Sequence, residues 1–82
     1  MQEELKADQV LDTKGMLCPI PVLKTNQTMK GLPPGQILQV LATDPASKPD
    51  LAAWSRTSGT EILRVLEQDG SPKVYVFYIR KK

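Results

Sequence analysis

The 82-residue sequence contains no histidine and only one cysteine, Cys18. Histidine is the side chain that proteins most often use as a general base near neutral pH and as a metal ligand. One cysteine cannot form an internal disulfide, whereas small secreted domains usually carry several. These shortages predict that the chain has no metal site and no cofactor, and they favour a reducing, cytoplasmic location.

Long apolar runs and a strong excess of one charge are also missing. No segment approaches the roughly 20 apolar residues of a membrane span, and the first residues lack the apolar stretch of a signal peptide. Eleven basic and nine acidic residues give a net charge of +2, too little to indicate nucleic-acid binding by itself. We therefore expect no membrane contact and no direct nucleic-acid binding. A chain this short favours one domain, over residues 9–82, after a flexible lead-in at 1–8.

Apolar periodicity and turn residues predict six elements in the order βαβαββ. The strands are expected over Gln9–Asp12, Gln36–Ala42, Thr60–Gln68 and Lys73–Lys81, and the helices over Pro19–Lys30 and from Ser47 to a C-cap at Gly59. In the first helix, Val22, Asn26 and Met29 recur at helical spacing with Ile20 and Leu23 beside them. In the second, Ser47 and Asp50 have the spacing of a shortened capping box.

Strand–helix–strand units give parallel strands with right-handed crossovers, so both helices are expected on one face of the sheet. The last two strands form an antiparallel hairpin. The predicted fold is an α/β two-layer sandwich, with two helices on one face of a four-stranded mixed sheet. If the first two strands are parallel, Cys18 and Asp44, which follow them, share the edge where α/β reaction sites gather.

The last strand is apolar on both sides, although helices cover only one face of such a sheet. The two sets are Val74, Val76 and Tyr78 on one side, and Tyr75, Phe77 and Ile79 on the other. We therefore expect exposed apolar surface on the open face, available to a partner or a second copy.

The segment "GMLCPIPVLK" (residues 15–24) places Cys18 between a glycine loop, centred on Gly15, and a helix. If Pro19 is the first helical residue, Cys18 is the N-cap, where the helix dipole favours a thiolate. Thiols in such positions have pKa values lowered from about 8.5 to roughly 3.5–7.5. If Ile20 is the N-cap instead, this effect is weaker. An inert buried cysteine is the alternative.

Pro21 adds a second proline to the start of the helix. It disfavours helical geometry at Ile20 and provides no amide donor. Such a local conflict is typical of functional sites. We interpret Pro21 as a stiff element that fixes the direction of the thiol, and we expect Pro21→Ala to leave the stability of the fold nearly unchanged or slightly higher.

Three segments resemble the TusA/SirA-like family of small sulfur carriers. They are "LDTKGMLCPIPVLK", "LPPGQILQVLATDPASKPDL" and "SGTEIL", and the resemblance covers about 11–81. The most specific piece is Cys-Pro-x-Pro, here residues 18–21, followed by Asp44-Pro45. The resemblance implies a persulfide on Cys18, taken from a sulfur donor protein such as a cysteine desulfurase or a rhodanese and passed to an acceptor protein.

The resemblance also implies the two-layer βαβαββ fold that the family shares with the C-terminal domain of a bacterial translation initiation factor. The family takes part in tRNA thiolation, cofactor biosynthesis and sulfur oxidation. One departure concerns the common Gly-His-Glu before the third strand, which is Gly59-Thr60-Glu61 here. A role that depends on that histidine does not carry over.

Two other functions stay open from the residues alone. A redox or regulatory protein with one cysteine would act through mixed disulfides with partners. A noncatalytic RNA-binding or protein-binding module is suggested by fold analogy.

Several other side chains have both a structural and a functional interpretation. Asp44 is either a turn-former before Pro45 or a contact to the Cys18 loop or a partner. Lys14 and Lys24 are either solvated charges or part of a docking surface near the thiol. Trp54 is expected in the core.

The proposed N-cap position generates a prediction for the Cys18 thiol. Its alkylation rate, measured against pH, should have a midpoint below about 8.5, the value of an ordinary cysteine. A midpoint at or above that value contradicts the N-cap placement.

Overall fold

The computed structural model describes residues 6–17 and 20–81, so Cys18, Pro19 and the N-cap prediction that concerns them lie outside the described residues. Its elements are β1 (Gln9–Thr13), α1 (Ile20–Lys30), β2 (Ile37–Ala42), α2 (Ser47–Ser58), β3 (Glu61–Gln68) and β4 (Val74–Arg80). This confirms the predicted order. The division into a lead-in over 1–8 and a domain over 9–82 stays a prediction, although Asp8 donates its amide to the carbonyl of Ile37 at 2.7 Å.

The four strands form one mixed sheet in the order β1-β2-β4-β3. β1 is parallel to β2, and β4 is antiparallel to both β2 and β3. Consequently β1, β2 and β3 run in the same direction, with β4 inserted between the second and third. We call the edge where these three strands end the carboxyl edge, and the opposite edge, where both helices end, the amino edge.

The core lies between the helices and alternate residues of the two central strands. Leu38, Val40 and Ala42 of β2 are fully buried, and they pack in one cluster with Phe77 of β4 and Leu51 of α2. Tyr75, Ile79 and Met29 complete the same cluster, with Leu32 at its margin. Each fully buried aliphatic or aromatic side chain contributes about 1.5–3 kcal/mol relative to exposure. The buried side chains at alternate positions of β2 and β4 therefore all face the helices, and both helices pack on one face of the sheet, as predicted.

The open face of β4 is less exposed than the sequence indicated. Val76 is only 2% exposed, and Val74 and Tyr78 are half-buried. The expectation of an exposed apolar β4 is wrong because this strand is central, so side chains of β2 and β3 flank it on both sides. The exposed apolar side chains of this face, Val10 and Leu66, lie on the outer strands.

The start of α2 also differs from the expected capping box. Ser47 is the first helical residue, and its hydroxyl donates to the carbonyl of Asp44 at 2.5 Å. Ala46 occupies the N-cap position without a side-chain hydrogen bond. The predicted cap at Ser47 is therefore wrong. The helix begins one residue earlier than a cap at Ser47 requires, because the backbone of Ala46 is already helical. The C-cap prediction is confirmed, since Gly59 has a left-handed φ of 78°.

An ion-pair cluster at the carboxyl edge joins α2 to the β3–β4 hairpin. Glu67 accepts hydrogen bonds from Lys48 of α2 and from Lys73, the latter at 2.7 Å. These bonds, with Lys48 contributing most, lower the pKa of the Glu67 carboxyl from 4.5 to about 2. The bond to Glu67 in turn raises the pKa of Lys73.

This cluster predicts a pH-dependent contribution to stability. Because the pKa of Glu67 is lowered on folding, its contribution is complete above about 4.5 and is lost as the pH falls toward 2. Glu67→Gln should therefore flatten the acid limb of stability between these values, measured by chemical denaturation at several pH values. The groups are exposed, so the difference should be small and should shrink further in high salt. An identical acid limb in wild type and variant contradicts this.

Candidate functional site

Two loops meet at the carboxyl edge because β1 and β2 are parallel and in register, with Thr13 opposite Ala42. The loop after β1 leads to Cys18, and the loop after β2 contains Asp44. The hydroxyl of Thr13 donates to the carbonyl of Leu41 at 2.5 Å, and the amide of Gly15 donates to Thr43 Oγ1 at 2.9 Å. These bonds fix the described part of the first loop against the second.

Gly15 has the backbone conformation that explains its place in this loop. Its φ is 83°, in the left-handed region that other residues occupy only with strain. The amide of Lys14 donates to Asp12 Oδ1 at 2.9 Å, and the amide of Met16 donates to the carbonyl of Thr13 at 3.1 Å. Gly15 therefore lies at the middle of a tight hydrogen-bonded turn, as the sequence indicated.

Asp44 has the turn-forming role that the sequence suggested. Its Oδ1 accepts from the amide of Ala46 at 3.0 Å, and its carbonyl accepts from the amide of Ser47 at 3.0 Å. The side chain thus shapes the turn that starts α2. Whether Asp44 also contacts the Cys18 loop or a partner protein stays a prediction.

The buried face of α1 overlaps the one that the apolar spacing indicated, since Met29 is buried and Val22 packs against the core. Pro21, Thr25 and Met29, at i, i+4 and i+8, are its buried residues. Thr25 is fully buried, and its hydroxyl remains satisfied there because it donates to the carbonyl of Pro21 at 2.7 Å. Because Thr25, at the centre of this stripe, is polar, the spacing of apolar residues did not indicate that Pro21 and Thr25 are buried.

The burial of Pro21 changes the interpretation of the second proline. Its side chain is fully buried, so Pro21→Ala would leave a space in the packing. The structure therefore favours a loss of stability on this substitution rather than the nearly neutral or stabilising effect expected from the sequence, and the effect itself stays a prediction. The ring belongs to the buried stripe of α1.

Three apolar side chains around the cysteine position are exposed instead. Leu17 is 71% exposed, Ile20 44% and Leu23 55%. We call these residues the apolar patch. Leu17 immediately precedes Cys18, and Ile20 and Leu23 lie on adjacent turns of α1. Sequence reasoning missed the patch because it placed Ile20 and Leu23 beside the buried stripe.

The candidate docking lysines are both exposed. Lys14 Nζ lies 3.9 Å from Asp12 Oδ2, with both side chains about half in solvent, so this pair stabilises little. Lys24 lies on α1 next to Leu23 and forms no ion pair with any described residue. Trp54, expected in the core, is half-buried and packs against its margin.

Two hollows lie at the amino edge, away from these loops. One, open and about 620 Å³, lies between α2 and the start of β3. Among residues 6–17 and 20–81, no group of three or more candidate ligands is arranged to hold a metal ion. No helix in the same part of the chain has the length and apolar character to cross a membrane.

The sequence model of the sulfurtransferase TusA family matches residues 9–81, almost the whole chain. The chain belongs to this family. A member from Allochromatium vinosum, named sulfur carrier protein TusA, is 38% identical over 74 residues, which cover 90% of this chain and 93% of that protein.

One further relative is similar in sequence, and one solved structure is similar in fold. A Bacillus subtilis protein named YrkI is 44% identical over 77 residues, covering 94% of this chain and 99% of the relative. The crystal structure of a SirA-like protein from Desulfitobacterium hafniense has the same fold, with a TM-score of 0.75 at 24% identity, over 90% of this chain and 99% of that one. Some relatives of TusA type are longer, and this chain spans 38% of one of them.

The bond between the two loops generates a test of their coupling. Thr43→Val removes the acceptor of the Gly15 amide, which should cost about 1 kcal/mol of stability and loosen the loop that leads to Cys18. Denaturation should show a folded protein, while sulfur acceptance from a donor protein should slow.

The control variant is Thr57→Val, which removes an exposed hydroxyl of α2 that donates to the carbonyl of Trp54 at 3.0 Å near the amino edge. It should leave sulfur acceptance unchanged. Equal rates for wild type and Thr43→Val would show that the loop bond does not position the site.

Proposed function

We propose that this sulfur carrier holds sulfane sulfur as a persulfide on Cys18. Its membership of the sulfurtransferase TusA family supports sulfur transfer, and Cys18 is the only thiol of the chain. The observation that carries the assignment is the paired-loop arrangement. The loop that leads to Cys18 is tied to the β2–α2 loop at the edge of the sheet where parallel strands end.

The proposed chemistry needs only one sulfur nucleophile. The Cys18 thiolate attacks the terminal sulfur of a persulfide on the donor, and the donor's cysteine thiolate leaves. A nucleophile of the acceptor then attacks the terminal sulfur on Cys18, which releases the Cys18 thiolate. No net oxidation takes place on the carrier. Because no second thiol is present, the persulfide cannot collapse into an internal disulfide with loss of sulfide.

Around this cysteine, the apolar patch provides a docking surface for the sulfur donor protein. Leu17, Ile20 and Leu23 are each at least 44% exposed, so covering them removes apolar area from water without rearranging the core. Lys24 adds a charge at the rim, where it would affect association rate more than affinity. The donor is a cysteine desulfurase or a rhodanese, and the cytoplasmic location expected from the sequence fits a reducing compartment.

The persulfide is tested by intact-mass measurement after incubation with a cysteine desulfurase and cysteine. The wild type should gain the mass of one sulfur atom, which a reductant should remove. Cys18→Ser should remain folded and gain nothing. Equal loading of the Ser variant would end the proposal. Capture of donors only as mixed disulfides would favour the redox alternative, and salt-dependent RNA binding that survives Cys18→Ser would favour the RNA-binding one.

The docking surface is tested separately with two variants of equal exposure. Leu23 and Val10 are each 55% exposed, but Val10 lies on β1, on the open face of the sheet. Leu23→Ser should lower the rate of sulfur acceptance about tenfold, as expected for an interface residue that contributes more than 1 kcal/mol. Val10→Ser should leave it unchanged. Equal effects of the two substitutions contradict a docking role for the patch.

A further inference from the structure

A second cavity lies at the amino edge, between the ends of α1 and α2. Its volume is about 160 Å³, and it is bounded by α1, by α2 with the Thr60 segment that follows it, and by Lys81 after β4. A space of this size holds several water molecules but is smaller than the roughly 300 Å³ at which pockets for drug-sized ligands begin. It suits a small ion or the head of a small organic acid.

Among the residues that the structure describes, the charged side chains that line this cavity are all cationic. They are Lys30, the last residue of α1, and Lys81. Lys81 Nζ donates to the carbonyl of Met29 at 2.5 Å, which places this ammonium at the negative end of the α1 dipole. Lys30 is exposed and forms no ion pair with any described residue. Within the described part of the chain, this positive charge at the rim is therefore not compensated.

The neutral polar groups of the lining include hydrogen-bond donors that no described residue uses. Asn26 Oδ1 accepts from Trp54 Nε1 at 3.2 Å. This orients the amide, and its two N–H groups have no hydrogen-bond partner among the described residues. The hydroxyls of Ser58 and Thr60 lie 2.8 Å apart. One hydroxyl proton is used between them, so the other is available to a ligand.

We propose that this cavity binds a small oxyanion, either a carboxylate or a phosphate. Asn26, the Ser58–Thr60 pair and Lys30 all line this one space, and no carboxylate of residues 6–17 and 20–81 lines it. Oxyanions accept several charge-assisted hydrogen bonds at once, which neutral ligands of this size do not. The ring of Trp54 and the buried side chain of Met29 form the apolar part of the wall.

This site is independent of the proposed sulfur chemistry. Both helices begin at the carboxyl edge, next to the loops of the candidate site, and end at the amino edge, where the cavity lies. A ligand in the cavity therefore lies at the opposite edge of the sheet from the loop that leads to Cys18. Cys18→Ser should bind the oxyanion as the wild type does, which separates this proposal from the persulfide proposal.

Nuclear magnetic resonance provides a local readout because Trp54 is the only tryptophan of the chain. The indole N–H signal and the Asn26 side-chain amide signals are followed while inorganic phosphate or acetate is added at constant ionic strength, with sodium chloride as the reference. We expect saturable shifts with at least one of the two anions, and the tighter one identifies the ligand class. Shifts no larger than those caused by chloride overturn the proposal.

Variants test whether the named groups hold the anion. Asn26→Asp keeps the oxygen that accepts from Trp54 but replaces the amide donors with a negative oxygen, so affinity should fall more than about tenfold. Lys30→Gln should weaken binding about fivefold, and the control Lys24→Gln on the same helix should not. If Lys24→Gln weakens binding as much as Lys30→Gln, or if Asn26→Asp binds normally, the assigned site is wrong.

Discussion

The parallel pairing of β1 with β2 is the interaction on which the candidate site depends. It fixes Thr13 opposite Ala42, so two loops that are far apart in sequence leave the sheet side by side. The bond from Gly15 to Thr43 then transmits the position of one loop to the other.

Buried hydroxyl groups stabilise several turns and the first helix of this protein. Thr13, Thr25 and Ser47 are buried, and each donates to a backbone carbonyl. Among the described residues, no buried side-chain nitrogen or oxygen lacks a partner. Since an unsatisfied buried hydroxyl costs about 1–3 kcal/mol, these bonds allow a small polar chain to pack tightly against its loops. The same feature explains how the polar Thr25 can lie in the buried stripe of α1 between Pro21 and Met29.

The order and bounds of the elements could be predicted because strong local signals mark them. Gly59 ends α2, and Pro33 and Pro34 separate α1 from β2. Strand order was not accessible in the same way, since insertion of β4 between β2 and β3 depends on which edges pair in three dimensions. For the same reason, the open face of β4 was predicted as exposed although neighbouring strands cover Val76.

The candidate site was predictable to a similar extent. Cys18, Gly15 and Asp44 stand out in sequence because a lone thiol, a glycine turn and an Asp-Pro turn have recognisable chemistry. Thr43 and the apolar patch did not, because a threonine at the end of a strand and leucines on a helix are ordinary residues until their partners and exposure are known. The amino-edge cavity likewise joins residues 26–30 with 54–60 and Lys81, a combination that no local pattern contains.

Cyanolysis tests the central claim, a persulfide on Cys18, most directly. Cyanide removes sulfane sulfur as thiocyanate, so protein loaded by a donor and freed of small molecules should release one thiocyanate per chain and return to its original mass. After prior alkylation of the Cys18 thiol, loading and release should both be absent. Stoichiometric thiocyanate from the alkylated protein, or none from the loaded wild type, would contradict the account.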